Sequence, residues 1–212
     1  MVKNDMTHSI LLYDYPKSSA AYRVRIALNL KAITYQKFNV NLIQKEHTSD
    51  FYIATNPQGL VPSLAVGDQI ITQSMAIIEW LEETYPQQPL LPLEPMKKAQ
   101  LRAQAYTIAC DTHPLNNLRV LNYLVGNMGQ NDVEKMAWYH HWINLSFIAI
   151  EAYLSAEEEN NQANLLDVLL VPQVFNANRF KLDMTPFPFI NQRVIWCNQQ
   201  DAFIQAHPDS CT

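Results

Sequence analysis

Apolar and polar positions divide this chain into two parts with different periods. From residue 8 to residue 85, short runs suited to strands alternate with segments at helical spacing. Ser9-Ile10-Leu11-Leu12-Tyr13 predicts a first strand, and Ala21 to Leu30 predicts a helix with Val24, Ala27 and Leu28 on one face. Tyr35 to Val40 is rich in β-formers and predicts a second strand. Asn56-Pro57-Gln58-Gly59 then marks a turn. Ser63 to Val66 and Gln69 to Thr72 flank Gly67-Asp68 as the two arms of a hairpin. A helix from Ser74 to about Tyr85 turns Ile77, Ile78, Leu81 and Tyr85 inward and Glu79, Glu82 and Glu83 outward. The order is βαβ, a connection, then ββα.

Pro86, Pro89, Pro92 and Pro95 interrupt the pattern and mark a linker. Beyond them the strand signals stop. Met96 to Met128 is helical, with Leu118, Leu121 and Val125 on one stripe, and Val133 to Leu154 and Asn164 to Phe180 follow. Asp201 to Ala206 is a last short helix. Asn164 and Asp167 stand at capping-box spacing. Pro172 inside that helix predicts a bend, because an interior proline costs about 3 kcal/mol. The expected fold is therefore α/β plus all-α, with domains at 7–88 and 96–212.

Composition narrows the partners. Hydrophobic residues are 48% and charged residues 17%, which supports a packed core and argues against disorder. The net charge is −5 and the longest basic run is Lys97-Lys98, so neither nucleic acid nor an anionic membrane is an expected partner. No apolar run reaches membrane-spanning length, and Met1 to Thr7 lacks the apolar segment of a secretory signal. Cys110, Cys197 and Cys211 are scattered without C-x-x-C, which fits a reducing cytoplasm and no zinc site. His140 and His141 are adjacent, diverge on a helix and do not form a chelating pair, so no metal is expected. Glu157-Glu158-Glu159 reads as a solvated helix end, and Trp138, Tyr139, Trp142 and Phe147 as helix packing. Nucleotide-binding glycine loops are absent.

The chemistry concentrates at Pro16-Lys17-Ser18-Ser19, between the first strand and the first helix. A helix start presents backbone N–H groups and the positive end of the dipole, which suits an anion. A serine there also serves simply as an N-cap, and this segment alone leaves both roles open.

Five segments in order extend the reading. Ser18-Ser19-x-x-x-Arg23-Val24-Arg25-Ile26-Ala27 is similar to the signature of zeta-class glutathione transferases, the maleylacetoacetate isomerases. Asn56 to Leu64 resembles the segment that carries the cis-proline of that fold, and Gln73 to Glu82 its γ-glutamyl-binding turn and helix. His113 to Leu121 and Leu170 to Phe180 resemble the helical-domain motifs of the class. The similarity covers about Ile10 to Pro208.

The resemblance implies a thioredoxin-like domain followed by a helical bundle, glutathione as cofactor, and a homodimer. It assigns Ser18, with Ser19 beside it, to the glutathione thiolate, where a hydroxyl donor and a helix N-terminus lower a thiol pKa. Val61, ahead of a cis bond to Pro62, pairs its backbone with the cysteinyl amide. Gln73 and Ser74 hold the γ-glutamyl carboxylate, and His113 and Asn117 approach the pocket. Lys17, Arg119 and Arg179 are the cations for a small dicarboxylate substrate, while Arg23 and Arg25 go to structure or the dimer interface. The class reaction adds the thiolate to maleylacetoacetate, lets the former double bond rotate, and eliminates fumarylacetoacetate.

Two positions depart from the family. Ala20 stands where many members carry cysteine, and Lys17 where arginine is common. The stretch 157–164 is also short and polar for this connection. The alternatives are a maleylpyruvate isomerase, a transferase for small α-halo acids, and a non-enzymatic binding protein on the same scaffold. A thiol–disulfide oxidoreductase is disfavoured because no cysteine starts the first helix.

Overall fold

A computed structural model describes residues 9–156 and 161–211. The acidic run Glu157-Glu158-Glu159 and the segment Met1 to Thr7 lie outside the described residues. The chain forms two compact units. The first holds the described residues up to Pro89 together with those from Asp201 onward; the second is Leu90–Gln200.

In the first unit, strand β1 (Ile10–Asp14) turns alternate side chains into the core, as its two-residue period requires. Helix α1 (Ser19–Leu30) leads to β2 (Gln36–Asn39), which runs parallel to β1. Strands β3 (Ser63–Val66) and β4 (Gln69–Thr72) add as an antiparallel hairpin, β3 against β1 with Leu12 opposite Leu64. The sheet order is β2-β1-β3-β4, a thioredoxin-like arrangement. α1 is buried along its whole middle, from Ala21 to Leu28, with α3 (Ser74–Thr84) and the C-terminal α9 (Asp201–Ala206) packed against it. The short α2 (Asp50–Thr55) was not expected from the pattern. Its six residues are too few to display a period, and it is started by Ser49, whose side chain accepts from the Tyr52 N–H.

Two readings change here. Glu82 does not face solvent: it pairs with the buried Lys31 at 2.7 Å. The last helix joins the first unit rather than the helical one. Arg25 Nε donates to the Ala206 carbonyl at 2.9 Å and Asn29 Nδ2 to the Ala202 carbonyl at 3.0 Å, and Tyr22 packs edge-on against His207.

The second unit is helical throughout its regular structure. α4 (Pro95–Tyr106) starts on Glu94, whose carboxylate accepts from the Met96 and Lys97 N–H groups. A π-helical turn (Thr107–Thr112) follows, then α5 (Leu118–Gly126), α6 (Asp132–Ala156), α7 (Leu165–Arg179) and α8 (Pro188–Cys197). The segment expected to be helical from 96 to 128 is thus broken, and α5 restarts on its own cap. The restart changes the buried stripe: Leu121 and Leu124 are covered, while Leu118 and Val125 are exposed.

α7 is covered without a gap from Leu165 to Val174. Its capping box is complete, with Asn164 accepting from the Asp167 N–H and Asp167 accepting from the Asn164 N–H. Arg193 of α8 grips the same carboxylate with two N–H groups, at 2.7 and 2.6 Å. The helix continues on both sides of the buried Pro172. α8, unrecognised in the pattern, has Pro188 in its first turn and lends the Phe189 and Ile190 N–H groups to Glu151 of α6. His140 and His141 go separate ways, one to the Phe180 carbonyl and the other beside Trp142.

Candidate active site

Ser18 caps α1. Its φ and ψ are −77° and 115°, its N–H donates to the Tyr15 carbonyl at 2.9 Å, and its Oγ accepts from the Ala21 N–H at 3.3 Å. The cap and the ligand role are therefore compatible. Accepting the backbone N–H uses an oxygen lone pair and leaves the hydroxyl proton available to donate. Such a proton beside the first turn of a twelve-residue helix favours a thiolate over a thiol. Ser18 is half-buried, Ser19 buried and Lys17 exposed. The loop is anchored from behind by Arg25, which donates to the Pro16 carbonyl at 2.9 Å and to Asp14 at 2.5 Å. Burial pushes the Asp14 carboxyl above its usual range, and the Arg25 guanidinium opposes that rise.

The second part of the site precedes β3. The Val61–Pro62 peptide is cis. Pairing of β3 begins only at Ser63, so the Val61 backbone is not consumed by the ladder. The turn before it is built to hold still. The Tyr52 hydroxyl and Asn56 Nδ2 both donate to the Leu60 carbonyl at 2.7 Å, and both also reach Ser63 Oγ. An extended backbone held this way can accept another extended segment alongside it.

The third part is the start of α3. Gln73 has φ +71°, a conformation a glutamine adopts only when its surroundings demand it. Its Nε2 donates to Gln58 Oε1 at 2.7 Å. Ser74 is the first helical residue and is buried. Together they form a helix N-terminus presented by a strained turn, suited to a carboxylate.

Arg23, expected to serve structure or the dimer interface, is 1% exposed, and its Nη1 points at Ser74 Oγ across 3.4 Å. With Arg25 it forms an arginine pair inside an otherwise apolar helix face.

The remaining expected site residues belong to the second unit. His113 ends the π-helical turn, its N–H donating to the Ile108 carbonyl at 2.9 Å. Asn117 caps α5, with Oδ1 accepting from the Arg119 N–H at 3.1 Å, and Arg119 is exposed. These three gather at one helix junction. Arg179 lies in the last turn of α7, exposed, with its guanidinium 5.2 Å from the Phe180 ring centre. The Cys197 thiol is buried and pushed far up by that burial, so it is no nucleophile.

The family model for the glutathione S-transferase N-terminal domain matches residues 12–89. The chain is 44% identical over 209 residues to a probable maleylacetoacetate isomerase of Vibrio cholerae, covering 95% of this chain and 97% of that protein. A bacterial zeta-class maleylpyruvate isomerase in its holo form superposes with a TM-score of 0.92 at 42% identity, covering 94% and 97%. A maleylacetoacetate isomerase of Methylobacterium extorquens AM1, solved with malonate and glutathione, superposes with a TM-score of 0.91 at 33% identity, covering 95% and 98%. With identities of this size over nearly its whole length, the chain belongs to the zeta-class glutathione transferase and maleylacetoacetate isomerase family.

Proposed function

We propose that this chain is a glutathione-dependent cis–trans isomerase that converts maleylacetoacetate to fumarylacetoacetate, as a cytoplasmic homodimer. The observation that carries the reading is the Ser18 cap, which keeps its proton to give at the N-terminus of α1. The donor set fits glutathione part by part: a hydroxyl for the sulfur, an unladdered backbone at Val61 for the peptide, and the Gln73–Ser74 helix start for the γ-glutamyl carboxylate. When bound, glutathione supplies a thiolate that adds to the activated double bond and is later expelled, rotation occurring between the two.

The chain's own residues do the rest. Ser18 donates its proton toward the sulfur and holds it ionised. Ser19, buried beside it, completes that first turn. Val61 fixes the peptide, and Gln73 and Ser74 fix the carboxylate. The family resemblance assigns Lys17, Arg119 and Arg179 to the two substrate carboxylates, and His113 and Asn117 to glutathione. No net oxidation takes place, and the atoms of substrate and product are the same.

The test follows loss of the cis-diacid absorbance with maleylacetoacetate and with maleylpyruvate, each with and without glutathione. Turnover is expected only with glutathione, and faster on maleylacetoacetate. Activity that survives omission of glutathione overturns the mechanism. A preference for maleylpyruvate favours the second reading, which the match to the holo maleylpyruvate isomerase supports. Gel filtration tests the dimer.

A further inference from the structure

We infer that Arg23 is a positioning residue for the carboxylate subsite at the start of α3: it orients the Ser74 hydroxyl so that its proton points to the ligand. The inference rests on the glutathione reading above. A guanidinium only donates, so in the 3.4 Å contact Ser74 Oγ is the acceptor and Arg23 Nη1 the donor. A serine hydroxyl whose oxygen is engaged this way directs its own proton elsewhere. At the first residue of α3 the outlet is the helix N-terminus, where a carboxylate accepts and does not donate.

Arg23 is well placed for this task. Its neighbours from Ala21 to Leu28 are all buried, so the backbone beneath it is fixed by the core. The guanidinium carries a permanent positive charge, held where water screens it little. The same helix begins at Ser18, five residues earlier. One rigid element therefore sets both the donor for the sulfur and the orientation of the donor for the γ-glutamyl carboxylate. The spacing between the cysteinyl sulfur and the γ-glutamyl carboxylate of the bound tripeptide is built into α1. The strained φ of Gln73 completes the arrangement by bringing Ser74 to the helix start.

Calorimetric titration with two ligands tests this. One is glutathione; the other is γ-aminobutyryl-cysteinyl-glycine, which lacks only the γ-glutamyl α-carboxylate. Arg23→Lys, with a compact point charge in place of the planar fork, is expected to weaken glutathione binding by about tenfold and to leave the truncated ligand within about twofold. Arg23→Gln, which keeps a neutral donor, is the second variant should Arg23→Lys fail to fold, and the same ligand contrast is expected of it. Ser74→Ala is expected to show that contrast as well, and Arg23→Lys combined with Ser74→Ala to lose no more than the larger single loss. Equal weakening of both ligands by the Arg23 variants makes Arg23 merely structural and overturns the inference. So does unchanged glutathione affinity in those variants. If wild type binds the two ligands equally, or Ser74→Ala binds glutathione normally, the carboxylate lies elsewhere, and the assignment of the γ-glutamyl carboxylate to Gln73 and Ser74 falls with the inference; only a wild type that binds neither ligand overturns the glutathione reading itself.

Discussion

Arg25 Nη1 lies 2.5 Å from Asp14 Oδ1 with both side chains buried, 0% and 4% exposed. The same guanidinium holds the Pro16 carbonyl of the serine loop and the Ala206 carbonyl of the last helix. Four segments of the first unit thus meet on one side chain. Arg25→Met removes the countercharge of Asp14 and three donors at once, and is expected to cost about 3–5 kcal/mol. The loss is also expected to depend on pH. Burial already raises the Asp14 carboxyl, and without Arg25 it rises further. An acid whose folded pKa is raised contributes stability below its unfolded value, here 3.8, and loses it as pH climbs through the folded value. The gap between wild type and variant should therefore widen from acid toward neutral pH. Urea denaturation at about pH 5 and about pH 7 checks it, and a gap that narrows toward neutrality refutes the assignment.

Ser18→Ala separates cap from catalyst. Losing the cap bond to Ala21 should cost about 1 kcal/mol of stability. Losing the proton aimed at the sulfur should lower turnover by about a hundredfold or more, the size seen when one preorganised donor is removed. Thiolate absorbance of bound glutathione across pH reports the second effect directly. The apparent thiol pKa should rise in the variant. If it does not move, the Ser19 side chain or the backbone stabilises the sulfur.

The first unit was largely readable because its strands and helices announce themselves by period: Leu12 and Leu64, opposite one another in the sheet, both belong to predicted strands. Short or restarted elements were not. α2 is set by one serine cap, and α8 by a proline and a glutamate from α6, signals that involve two segments far apart in sequence. The candidate site serines stand out through motif order. The contact of Arg23 with Ser74, fifty-one positions away, does not, because no local pattern encodes it. Glu82 failed for the same reason: its partner Lys31 lies on another element.

Gly59 supports the turn ahead of Val61. Its φ is +60°, and an added Cβ would meet the His47 carbonyl oxygen at 3.0 Å and Ile53 Cδ1 at 3.3 Å. Gly59→Ala should cost about 1–2 kcal/mol from the left-handed backbone alone, with the backbone contact adding to it. The affected peptide leads into Leu60, whose carbonyl receives Tyr52 and Asn56. Glutathione affinity should fall together with the melting temperature. A variant that melts lower yet binds normally would show that the Val61 segment re-forms independently of this turn.

Gln73 allows strain and ligand contact to be told apart. Glycine adopts φ +71° freely, whereas alanine does not, so Gln73→Gly should be more stable than Gln73→Ala by about 1 kcal/mol. Both variants remove the same amide and its bond to Gln58. If the amide touches glutathione, both bind it more weakly than wild type, and to a similar degree, despite their difference in stability. If the backbone alone makes the site, the glycine variant binds like wild type. Melting temperature and calorimetric affinity, measured on the same two proteins, decide between these outcomes, because the strain acts on the first and the lost amide on the second.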